Sequence, residues 1–260
     1  MDLGLDGKRV LVTGGNSGLG AAIARAFAAE RARVAINHVV HPEDAAALAG
    51  ELRASAQDAL ALQADIADPA AVAAMFTQMD AAWGGIDILI NNAGIDGPRA
   101  RAWETDVAAW TRVLQINLIG AYHCAREALA RMVKQRSGVV LNTSSVHEQI
   151  AWSGYSAYTA SKAGLSMMAK TMAQEAGPYG VRVLCLAPGA IRTPINADVW
   201  RDPAGQKDLV SKVPLGRVGE TSDVAGMACV LCSDVAAYMT ATSVFVDGGM
   251  TDYPAFTHGG

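Results

Sequence analysis

The stretch VLVTGGNSGLG, residues 10–20, decides how the rest of the chain is read. A short apolar, β-branched run ends in a turn carrying Gly14, Gly18 and Gly20, and an amphipathic helical pattern follows from Leu19 to Glu30. A helix start presents unpaired N–H groups and a positive dipole end, and glycines there let a pyrophosphate approach the backbone closely. The glycines depart from G-x-G-x-x-G spacing, so a tight connection without ligand is the alternative. The strand before and the helix after make the turn a candidate dinucleotide site.

Outward from that turn, KRVLVT, RVAIN, ALALQ, DILIN, GVVLNTSS, VRVLCLA and SVFVDGG read as strands. Several are apolar without alternation, as strands covered on both faces are. Helical patterns lie between them, at Leu19 to Glu30, Pro69 to Trp83, Val107 to Gln135 and Tyr158 to Gly177. Such alternation specifies an α/β fold with about seven parallel strands and helices on both faces of a doubly wound sheet. No repeat or linker divides the chain, so residues 1–260 are expected to form one domain. The irregular segment at about 188–214 follows a strand's carboxyl end, where open α/β sheets bind ligands, and is expected to cover a substrate.

The formal net charge is −4 with both signs interspersed, which lacks the clustered basic face of a nucleic-acid binder. No apolar run approaches the roughly 18 residues of a membrane span, and the start lacks a signal-peptide pattern, so a cytoplasmic location is expected. Cys124, Cys185, Cys229 and Cys232 are scattered. The Cys229-x-x-Cys232 pair sits in an apolar helical run without a second ligand pair, so it reads as core and no metal is expected. Apolar residues make up 51%, which points to surface shared between subunits.

An acid that binds the ribose is expected about 20 residues beyond the glycine turn. RVAINHVVHPEDA offers none there: His38 takes approximately that place, between Asn37 and Val39. His38 and Asn16 suit either nucleotide, so NAD versus NADP stays open.

GYSAYTASKAG, residues 154–164, holds Tyr155, Tyr158 and Lys162. Tyr158 and Lys162 are four apart and share a helix face. A phenol titrates near 10, too high for a base at neutral pH, and a nearby ammonium group lowers it. Tyr155 belongs to the loop before the helix, so Tyr158 is the expected proton-transfer group. A serine at the end of GVVLNTSS, Ser144 or Ser145, is placed to hold the reacting oxygen.

With these pieces in order, TGGNSGLG (13–20), NNAG (91–94), Asn117, Ser145, YTASK (158–162) and PGAIRTP (188–194), the sequence resembles the short-chain dehydrogenase/reductase family over nearly its full length. The thirteen-residue step from Ser145 to Tyr158 fits the family pattern and selects Ser145 over Ser144. The resemblance implies a Rossmann-like sheet and an NAD- or NADP-dependent oxidoreductase. In it Tyr158 is the general acid/base, Ser145 orients the substrate oxygen, and Lys162 binds the nicotinamide ribose while lowering the tyrosine pKa. Asn117 holds a relay water. Asn91, Ala93 and Gly94 line the adenosine pocket, Asp65 contacts adenine, and Ile191 and Thr193 hold the carboxamide. The implied cofactor set also includes Gly14, Asn16, Ser17, Gly18, Leu19, Gly20, His38, Ile66, Pro188 and Gly189. A homotetramer is implied as well. A protein that senses nucleotide without turnover is the alternative of another class, and the retention of Ser145, Tyr158, Lys162 and Asn117 together argues against it.

SSVHE (144–148), PGAIRTPINA (188–197) and DGGMTDYPAF (247–256) resemble the glucose 1-dehydrogenase branch, whose members oxidise the anomeric hydroxyl of an aldose to a lactone. The implied activity is that of an aldose (glucose) 1-dehydrogenase. The alternative is a carbonyl reductase acting on ketones, 3-ketoacyl compounds or steroids. A sugar site needs polar groups beside the hydride path, and Asp96, His147 and Asn196 are the candidates, with His147 equally readable as structural. Trp152, Ser153 and Gly154 depart from the more apolar approach expected there, and Asp96 stands where a glutamate is expected. The tail with Tyr253, Pro254 and Phe256 is expected to dock on a neighbouring subunit.

Overall fold

The structure, a computed structural model, describes residues 2–194 and 202–252. Seven parallel strands form one sheet in the order β3-β2-β1-β4-β5-β6-β7. They are β1 (Arg9–Val12), β2 (Arg33–His38), β3 (Asp58–Gln63), β4 (Ile88–Asn91), β5 (Gly138–Thr143), β6 (Val181–Pro188) and β7 (Ser243–Val246). All seven expected strands are present, and the reversal of strand order between β1 and β4 opens a crevice at their carboxyl ends.

Strand alternation divides the core into two layers. Val10, Val12, Val34 and Ile36 face α1 (Gly18–Ala29), α2 (Pro42–Leu52) and the last helix, α8 (Thr221–Cys232). Leu11, Ala35, Leu89 and Val140 face α3 (Pro69–Trp83), α5 (Ala121–Gln135) and α6 (Ser156–Ala176). Phe27 and Phe76 are fully buried, one in each layer. Burying side chains of this size contributes about 1.5–3 kcal/mol each relative to exposure. Cys229 and Cys232 lie in the first layer, where burial pushes the Cys229 thiol up to about 12, consistent with an inert apolar role. No helix among the described residues is long and apolar enough to cross a membrane.

Two differences from the sequence reading bear on the site. The helix expected over Val107 to Gln135 is broken into α4 (Val107–Leu114) and α5 by a π turn, Gln115–Gly120, that contains Asn117. A π turn widens the backbone ladder locally, and residue-type patterns carry no signal for it. The segment at about 188–214 includes a helix, α7 (Pro203–Val210), capped by Asp202 on Gly205 N at 2.8 Å.

Candidate active site

Two adjoining hollows lie along the carboxyl ends of β1, β2, β4, β5 and β6. One, of about 410 Å³, follows the glycine turn; the other, of about 470 Å³, surrounds Tyr158 and Lys162. Both are lined by Leu19, Asn92, Gly94 and Thr193, which makes them two halves of one cleft.

The glycine half has the shape a pyrophosphate requires. Gly14 and Gly18 adopt φ +58° and +51°, left-handed values that other residues rarely take. A Cβ on Gly20 would strike Gly14 O and lie 2.6 Å from Asn92 Nδ2, so only glycine fits there. Ser17 at the start of α1 makes no side-chain cap, whereas Asp68 caps α3 and Asp106 caps α4. The first-turn N–H groups of α1 thus remain available to an anion, as a bound dinucleotide needs.

Of the expected cofactor set, Asn16, Asp65, Ile66 and Ala93 line this half with the glycine-turn residues. Pro188, Gly189 and Ile191 line the other half. Asp65 accepts from Ala67 N at 2.9 Å and pairs with Arg112 at 3.0 Å. Two expectations are corrected. His38 does not line the cleft; it is 4% exposed and its Nδ1 has no hydrogen-bond partner among the described residues. Its neighbours Asn37 and Val39 line the cleft, and alternation along the strand turns His38 away. Asn91 is also buried within the sheet, where its Nδ2 donates to Ala121 O at 3.1 Å and Asn142 Oδ1 at 3.0 Å. The next residue, Asn92, lines the cleft instead and donates to Thr13 O at 3.0 Å.

In the second half, Tyr158 and Lys162 share one face of α6, and Lys162 Nζ lies 5.5 Å from the Tyr158 ring centre. Tyr155 stands at the start of α6, off this cleft, and stacks on Trp152. Lys162 Nζ donates to Thr143 O at 2.8 Å. Burial holds its ammonium group down at about 8, against the opposing charge of Asp96. The expected lowering of the tyrosine pKa is absent here: burial pushes the Tyr158 phenol up to about 12, with Asp96 adding to the rise and a hydrogen bond with Ser145 opposing it. Lys162 lies over the ring and gives one of its donors to the Thr143 carbonyl, and burial of the phenol outweighs whatever its charge contributes to the phenolate in this state.

Ser144 and Ser145 are separated by their partners. Ser144 Oγ donates to Glu148 Oε2 at 2.5 Å, whereas Ser145 Oγ faces the Tyr158 hydroxyl and accepts from His147 N at 3.2 Å. Asn117 does not line the cleft. Its side chain accepts from Ile95 N at 2.9 Å and donates to Ile95 O at 2.8 Å and Ser161 Oγ at 3.1 Å.

Asp96 and His147 both line the substrate side, and Asn196 lies outside the described residues, as do Tyr253, Pro254 and Phe256. Burial raises the Asp96 carboxyl and lowers the His147 imidazole. His147 Nδ1 lies 3.0 Å from Ile150 O, which only accepts, so Nδ1 carries the proton and Nε2 is the acceptor of the neutral ring. The same ring stacks on Trp152 at 4.5 Å, and Trp152 stacks on Tyr155 at 3.9 Å and meets Tyr158 edge-on at 5.9 Å. Sequence reasoning missed this aromatic wall, together with Leu209, Lys212 and Met250. The close spacing of Trp152, Tyr155 and Tyr158 was its one visible signal.

A doubly wound sheet with a dinucleotide-shaped turn beside a tyrosine, a lysine and a serine defines a nicotinamide-dependent oxidoreductase. The family model described as Enoyl-(Acyl carrier protein) reductase matches residues 14–251. The chain is 42% identical to 3beta-hydroxysteroid dehydrogenase 1 of Eggerthella lenta over 258 residues, 98% of each chain. It is 36% identical to Glucose 1-dehydrogenase 2 of Bacillus subtilis over 96% of this chain and 97% of that one. A gluconate 5-dehydrogenase from Burkholderia cenocepacia, solved in complex with NADP and tartrate, superposes with a TM-score of 0.90 at 33% identity, covering 95% of this chain and 96% of that one. The chain belongs to the short-chain dehydrogenase/reductase family and is an NAD(P)-dependent oxidoreductase acting on CH–OH groups.

Proposed function

We propose that the chain interconverts a secondary alcohol and a ketone carried on an apolar ring skeleton, of the hydroxysteroid or alicyclic class. The observation that carries this reading is the aromatic wall. Trp152 stacks between His147 and Tyr155 and stands edge-on to Tyr158, with Ile150, Leu209 and Met250 completing an apolar lining. Flat apolar rings gain most from such a surface. The likeness to the Eggerthella steroid enzyme supports the same class. The aldose reading is the second, favoured by Asp96 and His147 in the same lining and by the likeness to the Bacillus glucose enzyme.

The bound nicotinamide supplies or accepts the hydride. Tyr158, held as a neutral phenol, gives its proton to the carbonyl oxygen as the alcohol forms, and takes one back in the reverse direction. Ser145 orients that oxygen beside the phenol. Lys162, protonated at neutral pH, places a positive charge under the developing phenolate and offers donors to the nicotinamide ribose. The Asn117 side chain is committed to Ile95 and to Ser161 of α6, which ties the π turn to the helix that carries Tyr158 and Lys162. The exposed apolar residues Ile119, Tyr122 and Met167 support assembly into a homotetramer, which light scattering of the purified protein tests.

The test of substrate class is an assay matrix of NAD and NADP against hydroxysteroids, alicyclic alcohols and aldoses. Turnover of the ring alcohols with little activity on D-glucose is expected. Efficient oxidation of aldoses alone would overturn the first reading in favour of the second.

A further inference from the structure

We infer that the cleft selects NAD(H) over NADP(H) through a rim at the end of β2 that offers a hydrogen-bond acceptor and, among the described residues, no lysine or arginine free of a carboxylate partner. This rests on the cleft being the dinucleotide site. In a doubly wound sheet the adenosine 2′ substituent is read at the end of the second strand, where an acceptor suits a hydroxyl and an arginine suits a phosphate. Here the cleft is bounded by Asn16, Asn37, Val39 and Val40. Asn37 is committed through Nδ2 to Leu62 O at 3.3 Å and Ala64 O at 3.0 Å. Asn16 Nδ2 donates to Val40 O at 3.1 Å, which leaves the Asn16 carbonyl oxygen as an acceptor on the rim. A ribose hydroxyl can donate to that oxygen; an ionised phosphate has no proton to give and is repelled.

The charges around the rim act in the same direction. Among the described residues lining this half of the cleft, Arg112 is the single lysine or arginine, and Asp65 already holds it at 3.0 Å. Directly past Val40, α2 opens with Pro42, Glu43 and Asp44 in its first turn. The positive end of that helix is thus met by its own carboxylates, and the His41 ring faces Glu43 at 3.5 Å. A 2′-phosphate, carrying close to two negative charges, would enter beside two carboxylates without a partner.

Calorimetric titration of the full chain with NADH and with NADPH, at low salt and without substrate, tests this. NADPH is expected to bind at least tenfold more weakly than NADH. Val39 is 48% exposed, and Val39→Arg is expected to shift the ratio of NADPH to NADH affinity at least fivefold toward NADPH. The double variant Glu43→Gln, Asp44→Asn is expected to narrow the gap from the other side. Equal or tighter NADPH binding by the unaltered protein overturns the preference alone. Binding of neither nucleotide overturns the dinucleotide site as well.

Discussion

Lys162 Nζ lies 5.5 Å from the centre of the Tyr158 ring, one helical turn along α6, and donates to the Thr143 carbonyl at 2.8 Å. The lysine is therefore tied to the end of β5 and reaches the tyrosine from beneath the ring. Both groups are held away from their ordinary titration ranges, Tyr158 up at about 12 and Lys162 down at about 8, chiefly by burial. The pair is set at neutral pH as a phenol that can donate a proton and an ammonium group that can stabilise what remains.

Removing the phenol oxygen alone tests the assignment of the acid. Tyr158→Phe is expected to lower kcat by about 10²–10⁴-fold, the usual contribution of a positioned acid or base. NADH affinity should stay within about threefold of the unaltered protein. Tyr155→Phe, at the start of α6 and off the main cleft, should retain most activity. Full turnover by Tyr158→Phe would remove the proposed role.

The Lys162 shift sets a pH window for activity and for stability. Reduction needs the ammonium form, so kcat/KM for a ketone should fall above about pH 8, and Lys162→Arg should move that limb upward. For stability, the folded-state value of about 8 lies below the ordinary 10.5, so between these values the unfolded chain binds a proton that the folded chain does not. Stability contributed through this group therefore rises with pH across the window, and the cost of burying the charge is full below pH 8. Measured by denaturant unfolding, the protein should gain on Lys162→Met by on the order of 3 kcal/mol between pH 7 and pH 10.5. A gap independent of pH would show that the lysine is not held down by burial.

Trp152 is 37% exposed in this state, and its stacking partners fix its plane. Trp152→Ala is expected to raise KM for ring alcohols about tenfold, equivalent to about 1.4 kcal/mol, with kcat changed less. Steady-state kinetics on a steroid and on an open-chain alcohol separates a stacking role from a general loss of structure: only the ring substrate should suffer.

Two glycines provide opposite controls on the fold. Gly20→Ala would drive a methyl group into Gly14 O and Asn92, both fixed, and is expected to abolish nucleotide binding and lower Tm by several degrees. Gly50 lies within α2 with nothing within 4 Å of an added Cβ, so Gly50→Ala should stabilise by about 0.5–1 kcal/mol. Thermal melts with and without NADH distinguish the two.

The order of strands and helices, the glycine turn and the Tyr158–Lys162 pair were legible in the chain because each rests on local chemistry. Apolar runs covered on both faces, a left-handed glycine and a four-residue helical step are all written within a few neighbouring residues. The tertiary structure decided what depends on orientation and burial. It turned His38 and Asn91 away from the cleft and brought Asn92 and Val39 to it. Ser144 became bound to Glu148, leaving Ser145 to face the phenol. It also stacked His147, Trp152 and Tyr155 into one wall and reversed the expected shift of the tyrosine. These outcomes follow from which side of a strand a residue faces and how much water reaches it, and both are set by segments far apart in the sequence packing against one another.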